Sequence, residues 1–391
     1  MIPSVGLVAP GRSGYWLGGF HYVQHLVEAI SRLPETDRVS VREVWWGEGP
    51  DQDYFPELRS YLGSPLVLGL PRTPWARLAR AWRRAIRPSA RGTLADIFER
   101  AGIHALFPVP PCDALGVPFI FWISDLQYRH HPELYPAESA AWFESYNRRH
   151  SATAARILVM SESVHEDVRR FFPEVASKTR VVRVPSVPTS EWWVVPPSEA
   201  SALYALPPRY FVISNQVAAH KNHRTIIEAM RILRDRGVKT QLVCTGRTED
   251  YRDPLFFPAL CEELSRDGMD AQVRFLGVVP RAHHIAILRG AICILQPSIF
   301  EGWGLAVADA KSLAKPVLAS DIGAHREQQH PHARYLPARE PEAWAAAMAE
   351  ALGQLPPGPD ERAEREAGEE ALRTSVEGAR AAVELFREVL R

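Results

Sequence analysis

The chain runs through one pattern twice: short, mostly apolar runs separated by longer stretches with helical spacing. In the first half the runs are VGLVA, VSVREVWW, LVLGL, HALFPV, VPFIFWI, RILVM and TRVVRV, and helical spacing covers 18–32, 92–101, 136–155 and 162–171. After residue 208 the pattern restarts with RYFVIS, TQLVCTG, QVRFLG, AICILQP and KPVLAS. Strands that are apolar on both faces and joined through helices predict parallel sheets covered on each side. The stretch 184–208 divides the two series. It carries six prolines and little periodicity, which is the composition of a linker. The expected fold class is α/β, with two Rossmann-like doubly wound domains over 1–190 and 209–374 and a linker over 191–208. From about 359 the chain is first charged, then apolar at helical spacing through Leu372, Val376, Ala379, Val383, Phe386 and Leu390. One or two helices are expected there, with about 375–391 packing back on the first domain. Two such domains imply a cleft between the C-terminal edges of their sheets, where helix N-termini offer unpaired N–H groups.

Charge and cysteine usage narrow the ligand classes. Lys plus Arg and Asp plus Glu are equal at 46 each, so no net field draws nucleic acid and none is expected as a partner. Cys112, Cys244, Cys261 and Cys293 fit neither metal-ligand spacing nor a disulfide framework and read as free thiols of a reducing compartment. The opening MIPSVGLVAPGRSGYW has no cationic leader, and no apolar run approaches the ~18 residues of a membrane span. A cytoplasmic protein is expected. The stretch 71–92, PRTPWARLARAWRRAIRPSARG, sets Trp75, Leu78, Trp82 and Ile86 at helical spacing against seven arginines. That is the pattern of a basic helix lying on an anionic leaflet, here the inner face of the cell membrane. Arginine-rich helices with no membrane role share it.

Four stretches could carry chemistry. GRSGYWLGGF, residues 11–20, is a glycine-rich turn between the first strand and its helix, where backbone amides could approach a phosphate or a sugar. A plain tight turn fits it as well. FWISDLQYRHHPELYP, 121–136, leaves a buried strand at Asp125, which either faces the cleft or caps a turn. The adjacent His130 and His131 point different ways and have no third ligand at suitable spacing, so no metal site is expected. SNQVAAHKNHRTIIEAM, 214–230, places Lys221 where a helix begins, with Ile226, Ile227 and Met230 on its core face. A cation at a helix N-terminus opposes the dipole, so an anion such as a diphosphate should share that place. The fourth is SIFEGWGLAVAD. A strand ends before Ser298, which could cap, and a helix is expected from about Gly304 to Ala314. Gly302 and Gly304 let backbone approach a ligand, an anion fits the first turn, and Asp309 lies one to two turns in, able to accept from ribose hydroxyls. In the plainer alternative Glu301 caps and Asp309 is a surface charge. The acidic pair Asp51 and Asp53 in DQD sits in a polar Gly- and Pro-rich loop and reads as solvated.

Together these stretches resemble a GT-B glycosyltransferase of the group called family 4, or group 1. The resemblance covers nearly the whole chain. It is strongest over YFVISNQVAAHKNHRTIIEA and VRFLGVVPRAHHIAILRGAICILQPSIFEGWGLAVADAKSLAKPVLASDIGAHREQ. The NQ…HKNH and HREQ segments look like a bacterial branch common in surface-polysaccharide gene clusters. The resemblance implies a nucleoside diphosphate sugar held mainly by the C-terminal domain and a saccharide or lipid-linked saccharide acceptor on the N-terminal one. It further implies retention at the anomeric carbon and neither an obligatory metal nor a cofactor. Carried over, Glu301 would face the donor sugar, Lys221 would neutralise the leaving diphosphate, and Asp309 would hold the ribose. Backbone from Gly302 through Trp303 and Gly304 to Leu305 would add to the anion site. Gly18 and Gly19 would lie near phosphate and sugar, and Phe275 to Val278 would border the base. Gln216, Asn222 and Arg247 complete the expected donor contacts.

Three residues depart from the family pattern. Asp309 stands where glutamate is usual. Gln216 stands five residues before the lysine where arginine is common, so His220 or Arg247 would have to supply the missing charge. Ser124 stands where many members have histidine, which leaves Asp125 as the candidate for contacting sugar or acceptor. A non-catalytic, sugar-nucleotide-binding partner of another transferase is the alternative function.

Overall fold

The computed structural model describes residues 4–8, 17–45, 55–68, 94–108 and 116–391. The basic stretch 71–92, the DQD acids, Cys112 and residues 11–16 of the glycine-rich turn lie outside that set.

Each expected apolar run forms a strand. In the N-terminal half these are β1 (Ser4–Val8), β2 (Ser40–Trp45), β3 (Leu66–Val67), β4 (Ile103–Phe107), β5 (Ile120–Trp122), β6 (Arg156–Val159) and β7 (Thr179–Val181). They form parallel sheets of order β3-β2-β1-β4 and β5-β6-β7, joined by one parallel bridge between Leu106 and Phe119. The C-terminal half holds β8 (Phe211–Ser214), β9 (Leu242–Thr245), β10 (Val273–Phe275), β11 (Cys293–Gln296), β12 (Val317–Ser320) and β13 (Ala333–Leu336) in a parallel sheet of order β10-β9-β8-β11-β12-β13. The expected α/β class with two doubly wound parallel sheets is therefore present. β13 was not expected. Its edge position leaves Arg334 exposed and only Leu336 buried, so its apolar signal is dilute.

Strand order reverses between β1 and β4 in the first sheet and between β8 and β11 in the second. Ligands of such sheets bind beyond the strand ends at those reversals. Glu301 follows β11, Lys221 follows β8, and the helix Leu17–Ser31 follows β1.

Two segments cross between the halves. The proline-rich stretch is not an open tether. It forms the turn Ser190–Trp193 and the helix Pro197–Leu203, and Trp192 is buried with Tyr210, Ile285 and Leu288. Proline at the first helical position supplies a fixed φ where the missing N–H costs nothing, so proline density there did not mean absence of structure. The C-terminal segment is one 30-residue helix, Glu361–Leu390, started by the Asp360 side chain, which accepts from the Ala363 N–H at 3.0 Å. Near its start Glu364 takes a buried fork from Arg289 of the second domain at 2.9–3.1 Å. Near its end Ala379, Ala382, Val383 and Phe386 sit in the core of the first domain, with Phe386 against Phe107 at 5.6 Å between ring centres. No helix among the described residues is long and apolar enough to cross a membrane. Cys244, Cys261 and Cys293 are free, and burial pushes the Cys293 thiol up to about 12.

Candidate active site

Lys221 ends the turn Ala219–Lys221, and Asn222 then takes a left-handed conformation (φ 58°) before the helix His223–Asp235 begins. The lysine thus precedes the helix instead of lying in its first turn. Its Nζ donates to Glu301 Oε1 at 2.6 Å, and Gln296 Nε2 donates to the same oxygen at 2.9 Å. Glu301 thus supplies an anion beside the lysine. Burial pushes the Glu301 carboxyl up, but the Lys221 and His325 charges and the hydrogen bonds from Lys221 and Ser298 together outweigh burial and hold it below its ordinary value. Asp125 arrives from the other domain, beyond β5. The Gln127 N–H donates to its Oδ1 at 3.0 Å. Burial first, and the nearby Glu301 charge in addition, raise its pKa, against the pull of Lys221. Glu301, Lys221 and Asp125 are thus brought into one electrostatic neighbourhood spanning the two domains.

The EGWG turn has a role that sequence did not reveal. A Cβ on Gly302 would lie 2.0 Å from the Ser124 carbonyl oxygen, and Ser161 Oγ donates to the Gly302 carbonyl at 2.7 Å. Gly304 has φ 88°, and a Cβ added there would lie 3.1 Å from Cδ2 of the His325 ring. Between them Trp303 is buried in the core of the first domain, alongside Tyr22, Trp122 and Met160. Both glycines are explained by the protein's own packing. The helix that follows, Leu305–Ser312, has no side-chain cap. Ser298 does not cap it, because it is buried and accepts from Gln296 Nε2 at 3.3 Å.

The other expected donor residues divide into two sets. Gly18 and Gly19 lie in the first turn of Leu17–Ser31, where a Cβ on Gly18 would meet Leu305 Cδ1 at 3.7 Å. The first turns of two helices, one per domain, therefore abut. Phe275 ends β10 with its ring edge-on to Phe257, and Val278 just beyond is exposed. By contrast the Asn222 side chain is spent on the protein: Nδ2 donates to the carbonyls of Pro297 and Ala338, and Oδ1 accepts from Thr225. Gln216 Nε2 donates to the Glu249 carbonyl at 2.7 Å, and the Arg247 carbonyl accepts from the Val217 N–H at 2.7 Å. His220 supplies no charge. Burial and the Lys221 and Arg252 cations hold its pKa well below 6.5, and its Nδ1 accepts from Arg252 at 3.2 Å. His130 and His131 bind Asp167 and Glu133 separately, with both rings against Phe300. Among the described residues no cluster of three or more His, Cys, Asp or Glu could hold a metal.

Asp309 is buried, and both its oxygens accept from Arg281, at 2.7 and 2.8 Å. Sequence reasoning passed over Arg281, although it is the first residue of the helix Arg281–Gly290. The dipole argument that singled out Lys221 applies equally there. It also passed over Glu327, quoted only as part of HREQ. That carboxylate accepts the Glu162 and Ser163 N–H groups at 2.7 Å each and the Ser163 hydroxyl at 2.6 Å, capping a helix of the opposite domain. Arg252 makes a second bridge, forking onto Asp250 and donating to Gln127 Oε1 of the first domain at 2.8 Å. Replacing Glu327 by alanine should strand the two N–H donors of Glu162 and Ser163. Thermal unfolding is expected to show a loss of about 2 kcal/mol; an unchanged midpoint would mean that the cap is not maintained in solution.

Two Rossmann-like domains with their strand ends turned toward each other define the GT-B class of protein. Solved structures similar to this chain match it across its length. A glycosyltransferase from Rickettsia africae aligns over 98% of this chain and 96% of its own, at 14% identity and TM-score 0.64. Anabaena HepE, solved with UDP and glucose, aligns over 99% and 100%, at 14% identity and TM-score 0.64. At such identity the likeness concerns the fold. In sequence, residues 207–354 match the family described as "Glycosyl transferases group 1". A curated relative, O-antigen chain mannosyltransferase B of Escherichia coli, is 25% identical over 198 residues, 49% of this chain. The match spans half of that relative's length. Over 207–354 the chain is thus similar in sequence to the group 1 glycosyltransferases, and over its whole length it is similar in fold to GT-B structures.

Proposed function

We propose that the protein transfers a sugar from a nucleoside diphosphate sugar to an acceptor hydroxyl, with retention and without a metal. The observation that carries this reading is the Lys221–Glu301 pair at the sheet reversal, with Asp125 of the other domain beside it. A diphosphate arriving at the abutting first turns of Leu17–Ser31 and Leu305–Ser312 competes for Lys221. Glu301 then loses its cation and turns its acceptor oxygens to the hydroxyls of the donor sugar. In the reaction the bond from the anomeric carbon to the phosphate oxygen breaks. The acceptor oxygen bonds to that carbon from the same face, and its proton passes to the departing phosphate oxygen. Lys221 and the helix amides stabilise the charge on the leaving diphosphate, where fixed donors contribute most. Asp125, whose carboxyl is biased toward its protonated form, contacts the sugar or the acceptor.

A nucleotide-sugar donor is supported by the HepE complexes with UDP and UDP-glucose. A role in surface polysaccharide or glycolipid synthesis is supported by the O-antigen relative, and the protein would work at the cytoplasmic face of the membrane. The acceptor would be a saccharide or lipid-linked saccharide, and 71–92 would make peripheral membrane contact.

The test is a panel of GDP-, UDP- and dTDP-sugars. A ligand at 100 times its dissociation constant should stabilise the protein by about 2.7 kcal/mol, and the same donor should be hydrolysed or consumed by the purified chain. No shift with any member at millimolar concentration would sink the donor reading. Binding without turnover would favour a non-catalytic partner.

A further inference from the structure

The expected ribose acceptor is already occupied. Asp309 takes two hydrogen bonds from the end of the Arg281 guanidinium, one to each oxygen. Arg281 Nη1 also donates to His284 Nδ1 at 3.0 Å, and the other nitrogen of that ring meets Ser214 Oγ at 2.5 Å. The guanidinium lies over the buried Trp192 ring, 4.9 Å from its centre. Every member of this row from Ser214 to Asp309 has its partner in place, which describes a preorganised support more than a carboxylate waiting for a diol.

An arginine has five N–H donors, and a pair on each of two edges can grip an oxyanion. Asp309 holds the end pair, Nη1 and Nη2. The side pair, Nε–H and the second Nη2 hydrogen, has no hydrogen-bond partner among the described residues. Position favours an anion for it. Asp309 lies four residues, or about one turn, beyond Leu305, and His21 lies three beyond Gly18, so the cluster sits roughly 5 Å along both helices from their abutting first turns. His21, held at about 4 by burial and the Arg281 charge, and His284, held at about 3 likewise, are neutral there. Arg281 therefore carries the positive charge of this end of the cleft.

We infer that Arg281, held in place by Asp309 and His284, binds the phosphate of the nucleotide through its open side pair, and that Asp309 acts through it as a positioning residue. This rests on the donor reading above. It also answers the loss of arginine at Gln216, because the cation comes from a different strand-to-helix junction. The shorter aspartate side chain fits this arrangement, since it sets the carboxylate back by one methylene and leaves room for the guanidinium.

The experiment measures binding of GDP, UDP and their 2′,3′-dideoxy forms to the full chain by calorimetry. Arg281→Gln should weaken diphosphate binding at least tenfold. Asp309→Asn should weaken it by less, and the double variant should be no worse than Arg281→Gln alone. Removing both ribose hydroxyls should cost the wild-type protein less than threefold. Arg281→Lys, which keeps charge but lacks the side pair, should lose most of the affinity while still unfolding cooperatively above the assay temperature, separating recognition from folding. The inference is overturned if Arg281→Gln binds as well as wild type or better. It is also overturned if the dideoxy forms lose tenfold in wild type and nothing in Asp309→Asn. Failure of both nucleotides to bind wild type would overturn the donor reading, and the inference with it; binding that ignores Arg281 overturns the inference alone.

Discussion

Lys221→Ala is expected to reduce sugar transfer on the order of 10²-fold, the scale of losing one preorganised donor to a leaving anion. Two effects combine. The diphosphate loses its nearest cation, and Glu301 loses the partner at 2.6 Å that holds its carboxylate charged in a buried place. Stranding a buried charge costs roughly 3 kcal/mol, so unfolding should shift as well. The pH dependence has a definite sign. Glu301 titrates in the folded protein below its unfolded value, so the pair's stabilisation is complete at neutral pH. It drains away only as acid protonates Glu301. Lys221→Ala should therefore be closest to wild type in stability at low pH. Adding Glu301→Gln to Lys221→Ala should restore stability without restoring turnover. Wild-type turnover and donor affinity in Lys221→Ala would end the mechanism proposed here.

Gly302→Ala should be nearly as damaging, from a single methyl group far smaller than any charge change. The obstacle is the Ser124 carbonyl at 2.0 Å from the added carbon, a backbone atom that no rotamer moves aside. The loop or the domains must separate, and Asp125, the next residue along, moves with that backbone relative to Glu301. A displacement of about 1 Å at a reacting centre costs on the order of 10²-fold. Small-angle scattering should show a larger radius of gyration for this variant, with turnover lost in parallel. Gly304→Ala offers the control: its strain comes from a φ of 88° and from the His325 ring, so it should destabilise the protein without spreading the domains. A Gly302→Ala enzyme with normal rate would show that the close approach is dispensable.

The fold is legible in the patterning of the sequence, and the candidate site in charge that looks out of place. Twelve of the thirteen described strands follow apolar runs; β13 escaped because an edge strand needs little apolar content. Lys221 and Glu301 stand out in the sequence as a cation and a turn acid near helix starts, and folding pairs them. Three things were hidden, each for a physical reason. Asp309 reads in one dimension as a free acid, because Arg281, 28 residues away, becomes its partner only after folding. Gly302 and Gly304 signal close approach without saying to what, and the neighbour proved to be protein. Glu327 caps a helix that starts 165 residues earlier, a spacing no local capping rule detects.

Trp303 extends from the second domain into the core of the first, and the helix Glu361–Leu390 returns from the second domain to the same core. The two halves are thus separable in topology but not in the apolar surface they share. A chain cut at 208 would leave the second half with a bare indole and an uncovered helical face, and the first half with the cavities they had filled. Exchange of C-terminal halves between relatives is constrained accordingly. A functional graft must carry the tryptophan turn and the terminal helix matched to the recipient's core, so specificity here is inherited together with its packing.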